Sequence, residues 1–199
     1  MKKIILATLN KWKLQEFIQI AKTNKFFIEF EPISRNIGCI PETGKSYLDN
    51  ALIKANLAYK YYRSPVVSDD SGLELINFNN LPGVYSARYA GLNATEKENR
   101  NKLNKFLLDN NLTFTPARYR CILVYKYKLD QYNFFEAIWN GKIILNNVSA
   151  EGFGYDPMFI PIGCNKTINQ IDLKYKNTFS HRARALVQLF NFIFDSVQE

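Results

Sequence analysis

Pro65-Val66-Val67-Ser68-Asp69-Asp70-Ser71-Gly72-Leu73 is the stretch on which the reading of this chain turns. A short apolar run leads into two adjacent carboxylates and a hydroxyl, and a glycine follows. The pattern predicts a buried strand over 65–68 that ends on acidic groups, with Gly72 turning the backbone. The rim of an open α/β sheet is where such proteins place ligands. Neighbouring carboxylates stay ionised together only beside a cation or a cluster of donors. The two acids therefore pose the question of what they hold.

Working outward, strands and helices alternate. Lys3 to Thr8 reads as a buried strand, and Lys11 to about Asn24 as a helix with Leu14, Phe17, Ile18 and Ala21 at helical spacing. Phe26 to Phe30 is a second strand, closed by Pro32. A polar loop through Glu42-Thr43-Gly44 precedes a long helix from Ser46 to Tyr62, which carries Leu48, Ala51, Leu52, Ala55 and Tyr59 on one side. Beyond the acids, Asn77 to Pro82 reads as loop, and Thr95 caps a helix that runs to about Asn110. Arg118 to Tyr127 and Tyr132 to Trp139 form a long hairpin around Leu129-Asp130. Gly152 to Pro157 is a loop punctuated by Gly and Pro. A last helix spans Ser180 to Val197, with Ala185, Leu186, Leu189, Phe190 and Ile193 facing the core. No repeat, low-complexity tract or linker interrupts the chain, so residues 1–199 read as a single domain.

Composition narrows the function. At 47% hydrophobic content the chain has ample material for a core, which excludes a disordered class. A formal net charge of +8 favours anionic partners, either nucleic acid or a phosphorylated small molecule. The abundance of Lys, Asn, Ile, Phe and Tyr also fits an AT-rich genome, so charge alone leaves the matter open. A nucleic-acid module would interleave basic and aromatic residues along one face. Here the lysines are spread throughout, and no nucleic-acid partner is expected. Cys39, Cys121 and Cys164 are widely spaced and His181 is the sole histidine, so no zinc-ligand pattern exists. Reduced thiols in a cytoplasmic protein fit best. The apolar start stops at Asn10-Lys11 and reads as a strand rather than a signal peptide. No segment is long enough to span a membrane, and no membrane partner is expected.

Two phosphate motifs are nearly present and both fail. Gly44-Lys45-Ser46 resembles the end of a P-loop, but the required first Gly falls on Cys39. Gly152-Phe153-Gly154 opens like a dinucleotide fingerprint, yet Pro157 occupies the third Gly position. What remains is scattered. Thr8, Asn10 and Lys13 lie just before or within a helix start, which is either a phosphate cradle or an ordinary capped helix. Glu42 is either a partner of Asp70 for Mg²⁺, which favours one or two carboxylates plus phosphate oxygens, or a response to the helix dipole. Lys54 either neutralises phosphate or sits on a solvated face. Phe153 either stacks on a base or packs in the core. Asp156, His181 and Arg182 either read a purine edge or are incidental to a helix start.

Together these segments resemble the inosine triphosphate pyrophosphatase family, whose members act on noncanonical purine nucleoside triphosphates. The match runs from Ile4-Leu6-Ala7-Thr8, Asn10 and Lys13 to Glu42-Thr43-Gly44 and Asp49 to Ala55. It continues through Asp69 to Leu73, Pro82 to Tyr89, Gly152 to Pro157, and Ser180-His181-Arg182. The resemblance covers nearly the whole chain in order. It implies an elongated mixed β-sheet flanked by helices, in two lobes with a central cleft, and a homodimer. It implies that Asp70 binds Mg²⁺ and accepts the proton of the attacking water, with Glu42 as second metal ligand. Thr8, Asn10, Lys13, Lys54 and Ser71 would cradle the triphosphate. Phe153, Gly154, Tyr155, Asp156, Lys176, His181 and Arg182 would form the nucleoside and base pocket, and Asp69 would support the site.

The implied reaction is Mg²⁺-dependent hydrolysis of ITP, dITP or XTP to the monophosphate and pyrophosphate, which clears deaminated purines from the nucleotide pool. A donor such as Arg182 or His181 pairs with a 6-keto oxygen and meets another donor on adenine. A house-cleaning hydrolase for pyrimidine or modified nucleotides is the nearest rival, and the 152–157 and 180–182 segments argue against it. Three positions depart from the family. Leu9 stands where Gly is usual, Trp12 where a small residue is common, and Asp49 where Glu is usual. Leu9 must avoid positive φ.

Overall fold

A computed structural model describes residues 2–38, 40–145 and 152–195, with the Arg35 side chain excepted. In chain order the elements are β1 (Lys2–Leu6), α1 (Lys11–Thr23), β2 (Ile28–Pro32), α2 (Tyr47–Tyr62), β3 (Val66–Leu75) and β4 (Leu81–Pro82). Then follow α3 (Glu96–Asp109), β5 (Phe114–Lys128), β6 (Gln131–Ile144), β7 (Phe159–Pro161), α4 (Leu173–Phe179) and α5 (His181–Asp195). Short 3₁₀ turns occupy Arg35–Ile37, Gly83–Arg88 and Ile168–Gln170. The expected end of the last helix at Val197 lies outside the described residues, as does Cys39.

The strands form one mixed sheet in the order β2-β1-β3-β5-β6-β7, with β4 beside β3. β1 is parallel to both neighbours: Lys2 stands opposite Ile28, and Ile5 opposite Val66. β7 returns antiparallel to β6, with Ile143 opposite Phe159. The helices flank this open sheet, and the mixed α/β class is as expected from the sequence.

The chain divides into two compact units. One takes Met1–Asp70, Cys121–Ala137 and Asn177–Glu199, the other Ser71–Arg120 and Ile138–Lys176. Each has its own apolar core. In the first, Ile4, Leu6, Phe17, Ile20, Leu123, Leu186, Leu189 and Phe190 pack together, with α5 contributing the face expected from its spacing. A second cluster there joins Ile5, Ile33, Ala58 and Val66. In the other unit Leu73, Leu75, Leu103, Leu107, Trp139, Ile143 and Phe159 form the centre.

Residues 65–73 depart from the expected strand end. Their acids do not end a strand: β3 runs through them from Val66 to Leu75, and Gly72 lies inside the strand instead of turning it. A strand tolerates carboxylates at its centre when each face supplies compensating donors, and both faces do so here. Beyond Gly72 the backbone stays engaged, since the Leu73 N–H donates to Ser86 Oγ at 2.9 Å. The loop expected over 77–82 also ends early, because Leu81 and Pro82 pair antiparallel with Leu75 and Glu74. β7 and α4 were not expected; both are too short to carry a periodic signal.

Helix starts follow the expected chemistry. Thr95 caps α3 in a reciprocal box with Glu98. Ser46 does the same for α2, where the departure at Asp49 finds its role: Asp49 Oδ2 accepts the Ser46 N–H at 3.0 Å, and Ser46 Oγ accepts the Asp49 N–H at 3.1 Å. The face of α2 that packs inward is Tyr47, Asn50, Ala51, Lys54, Ala55 and Ala58, shifted from the expected stripe by two polar residues with work to do.

Candidate active site

The first unit gathers most of the expected phosphate and metal residues around β3. Side chains alternate across a strand, so Asp69 and Asp70 point to opposite faces and acquire different company.

Asp70 is met by α2. Lys54 Nζ donates to Asp70 Oδ1 at 2.8 Å and to Glu42 Oε1 at 3.0 Å. One buried ammonium, 7% exposed, thus bridges the two carboxylates assigned to the metal. Lys54 is not on a solvated face, and Glu42 meets a side-chain cation. Asn50, one turn earlier on α2, completes the arrangement. Its Nδ2 donates to Asp70 Oδ2 at 3.2 Å, while its Oδ1 accepts the Gly44 N–H at 2.8 Å. Gly44 is required there, because a Cβ would lie 2.7 Å from Asn50 Oδ1 and 2.5 Å from Asp49 Cβ. Asn50 therefore ties the loop after Glu42 to Asp70.

Burial raises the Asp70 carboxyl above its ordinary value, against the pull of Lys54 and with help from Glu42. For Lys54, burial works against the charged form, and the surrounding acids, Asp70 foremost, outweigh it. The ammonium stays charged.

Asp69 faces α1 and α5. Lys13 Nζ donates to its Oδ1 at 3.1 Å, and Arg182 Nη2 to its Oδ2 at 3.2 Å. Arg182 Nη1 donates to Glu16 Oε2 at 2.6 Å. Burial pushes the Asp69 carboxyl up, but Lys13 and Arg182 more than reverse this and hold it well below the carboxylate range. Arg182 is 2% exposed, so the expected base reader is set among acids. His181 beside it, at the start of α5, is also buried.

Thr8 and Asn10 build the start of α1. Asn10 Oδ1 accepts from Trp12 N–H at 2.9 Å and Lys13 N–H at 3.2 Å, and Thr8 Oγ1 accepts the Asn10 N–H at 3.1 Å. Their capping role is thus realised, and it engages the N–H groups of Trp12 and Lys13. Leu9 avoids positive φ, as it must. Trp12 points outward at 72% exposure.

In the second unit Ser71 follows Asp70 on β3. Of the expected base-pocket residues that unit holds Phe153, Gly154, Tyr155, Asp156 and Lys176, whereas His181 and Arg182 belong to the first unit. Asp156 is buried, with Oδ2 accepting from Lys176 Nζ at 2.7 Å and Oδ1 from Tyr119 OH at 3.3 Å. Burial, then Asp156, pushes the Tyr119 phenol well up, so it stays a donor. Tyr155 packs in the core and donates to the Ser86 carbonyl at 2.9 Å. Phe153 is half-buried and belongs to neither core. Gly154 holds a left-handed conformation, φ +53°.

Sequence reasoning missed Asn50, Glu16 and Tyr119. The first two carried a usable signal: Asn50 is four residues before Lys54 and Glu16 three after Lys13, so each shares a helix face with an expected site residue. Tyr119 carried none.

The donor set bears on a metal. Among the described residues no group of three or more His, Cys, Asp or Glu side chains converges. Two carboxylates whose oxygens already share one cationic group suit Mg²⁺, which completes its shell with water and substrate phosphate. Among the described residues no helix is long and apolar enough to cross a membrane.

Fold and site together define an α/β protein built around a carboxylate–lysine centre. The chain belongs to the Ham1 family, whose model matches residues 4–192. It is 49% identical over 197 residues to the dITP/XTP pyrophosphatase of Malacoplasma penetrans, covering 97% of this chain and 98% of that protein. It is 40% identical over 192 residues to the dITP/XTP pyrophosphatase of Shewanella oneidensis, covering 95% of this chain and 92% of that one. Among solved structures, a HAM1 protein from Coxiella burnetii superposes with a TM-score of 0.86 at 33% identity, covering 98% of this chain and all of that one, 100%.

Proposed function

We propose that this chain is a nucleoside triphosphate pyrophosphohydrolase that converts ITP, dITP and XTP to the monophosphate and pyrophosphate. The observation that carries the reading is the Lys54 ammonium held between Asp70 Oδ1 and Glu42 Oε1 at 2.8 and 3.0 Å. A buried carboxylate and a half-buried one with a lysine between them are what an anionic, metal-bound substrate needs. Membership in a family with named dITP/XTP pyrophosphatases supports the same reading.

Glu42 and Asp70 would hold Mg²⁺, which when bound supplies Lewis-acid neutralisation of the phosphate oxygens. Asp70 accepts the proton of the water that attacks the α-phosphorus. Asp70 has to be ionised to do so, and the adjacent metal would keep it so. Lys54 and Lys13 offset phosphate charge, and with them Thr8, Asn10 and Ser71 cradle the chain of phosphates. Asp69 stays ionised and steadies Lys13 and Arg182.

Phe153 offers a face for stacking, the Gly154-Tyr155 backbone shapes the turn, and Asp156 with Lys176 supplies polar contacts. Arg182 and His181 donate to the 6-keto oxygen, the guanidinium being oriented by Glu16 and Asp69. The role is removal of deaminated purines from a cytoplasmic nucleotide pool. The same reading carries the expected homodimer, checked by chromatography with light scattering. The test is a pyrophosphate-release screen over ITP, XTP, dITP, ATP, GTP and CTP with and without Mg²⁺. Release confined to the first three and dependent on Mg²⁺ supports the reading, and equal turnover of ATP or CTP overturns it.

A further inference from the structure

On α3 two side chains one turn apart reach the same segment of backbone. Arg100 Nη1 donates to the Gly154 carbonyl at 2.8 Å and to the Gly152 carbonyl at 3.4 Å, and Glu96 Oε2 accepts the Gly154 N–H at 3.0 Å. The carbonyls on either side of Phe153 are thus gripped by one guanidinium. Arg100 is 6% exposed, and a guanidinium taken from water is tolerated only where acceptors are fixed to receive it.

The gripped backbone contains two glycines at positive φ. Gly152 has φ +152° and Gly154 φ +53°, conformations that side-chain-bearing residues rarely adopt. Nor does either glycine have a side chain to anchor it. At Gly152 the space is closed as well, since a Cβ would lie 2.9 Å from Pro157 Cγ. The constraint passes on to the neighbours, because the Phe153 carbonyl accepts the Asp156 N–H at 3.1 Å. Next to Arg100, Asn99 pins another segment, accepting from Ala90 N–H at 2.8 Å and donating to the Ala87 carbonyl at 3.0 Å. This end of α3 works as a clamp on two loops.

We propose that Glu96 and Arg100 are positioning residues for base recognition. They fix the Gly152–Gly154 backbone so that Phe153 and Asp156 stand ready before the nucleotide binds. The proposal rests on the purine triphosphate reading above. If the pair merely supported the fold, its loss would weaken every ligand alike.

The test compares Arg100→Met and Arg100→Lys with the wild type, using ITP turnover and inhibition by inorganic tripolyphosphate, which carries no base. Arg100→Met is expected to raise KM for ITP about tenfold and change kcat less than about twofold, with tripolyphosphate inhibition unmoved and Arg100→Lys recovering part of the loss. An unmoved KM, or a parallel loss of tripolyphosphate inhibition, overturns the proposal. Should Arg100→Met fail to fold, Glu96→Ala, at an exposed position, carries the same test with a smaller rise in KM. Wild-type protein that does not turn over ITP overturns the functional reading itself. ITP turnover with an unmoved KM overturns the positioning role alone.

Discussion

Asp69 and Asp70 are adjacent, identical and both buried, yet one strand step gives them opposite surroundings. Asp69 faces two permanent cations, Lys13 and Arg182, and its carboxyl is held well below the ordinary range. Asp70 shares one lysine with Glu42, accepts from the amide of Asn50, and is pushed up by burial. Two charges against one on a buried carboxylate leave it locked as an anion. One lysine divided between two acids is the setting that the proposed metal-binding base requires. The proposed division between a supporting Asp69 and a reacting Asp70 rests on that difference.

The first way to break this contrast is Asp70→Asn, the variant with the largest expected effect. It should cost about 10³-fold in pyrophosphate release while the thermal transition stays near the wild type, since proton acceptance is worth about that much. Near-normal turnover would remove Asp70 as the base. Next is Lys54→Met, which strips the shared cation and leaves two acids facing each other. Removing one partner of a buried ion pair costs about 3–5 kcal/mol, to be read from urea unfolding. A loss below about 1 kcal/mol would mean that the pair is solvated after all.

Arg182→Ala is smaller and sharper. It should narrow the preference for ITP over ATP by about tenfold, the worth of one buried hydrogen bond. An unchanged ratio, with lowered stability, would leave Arg182 as a partner of Asp69 and Glu16 only.

Acid stability gives the smallest effect. Asp69 has a folded-state affinity for protons lowered relative to the unfolded chain, so it stabilises the fold above the unfolded carboxylate value near pH 4 and loses that contribution as pH falls toward its folded value. The melting temperature of the wild type should therefore fall more steeply below about pH 4 than that of Asp69→Asn. Parallel curves would show that Asp69 is not held by Lys13 and Arg182.

The sequence showed the helices well, because capping residues and 3.6-residue spacing are local. Thr95, Ser46 and the apolar face of α5 were legible for that reason. β3 was misread because Asp-Asp-Ser-Gly carries turn chemistry, while the donors that let a strand pass through it come from α1, α2 and α5, distant in sequence. Lys54 and Glu42 were found through family resemblance, yet their shared geometry depends on where α2 meets β3. Asn50 and Glu16 lay within reach of helical spacing. Tyr119 and Arg100 did not, since nothing local in a strand or on a polar helix face names a partner on a distant loop.

The contrast itself is tested most directly by Mn²⁺ binding, followed by electron paramagnetic resonance, on Asp70→Asn and Asp69→Asn in parallel. The account predicts that Asp70→Asn loses most of its Mn²⁺ affinity and Asp69→Asn keeps most of it. Retained binding in Asp70→Asn, or its loss in Asp69→Asn alone, would contradict it.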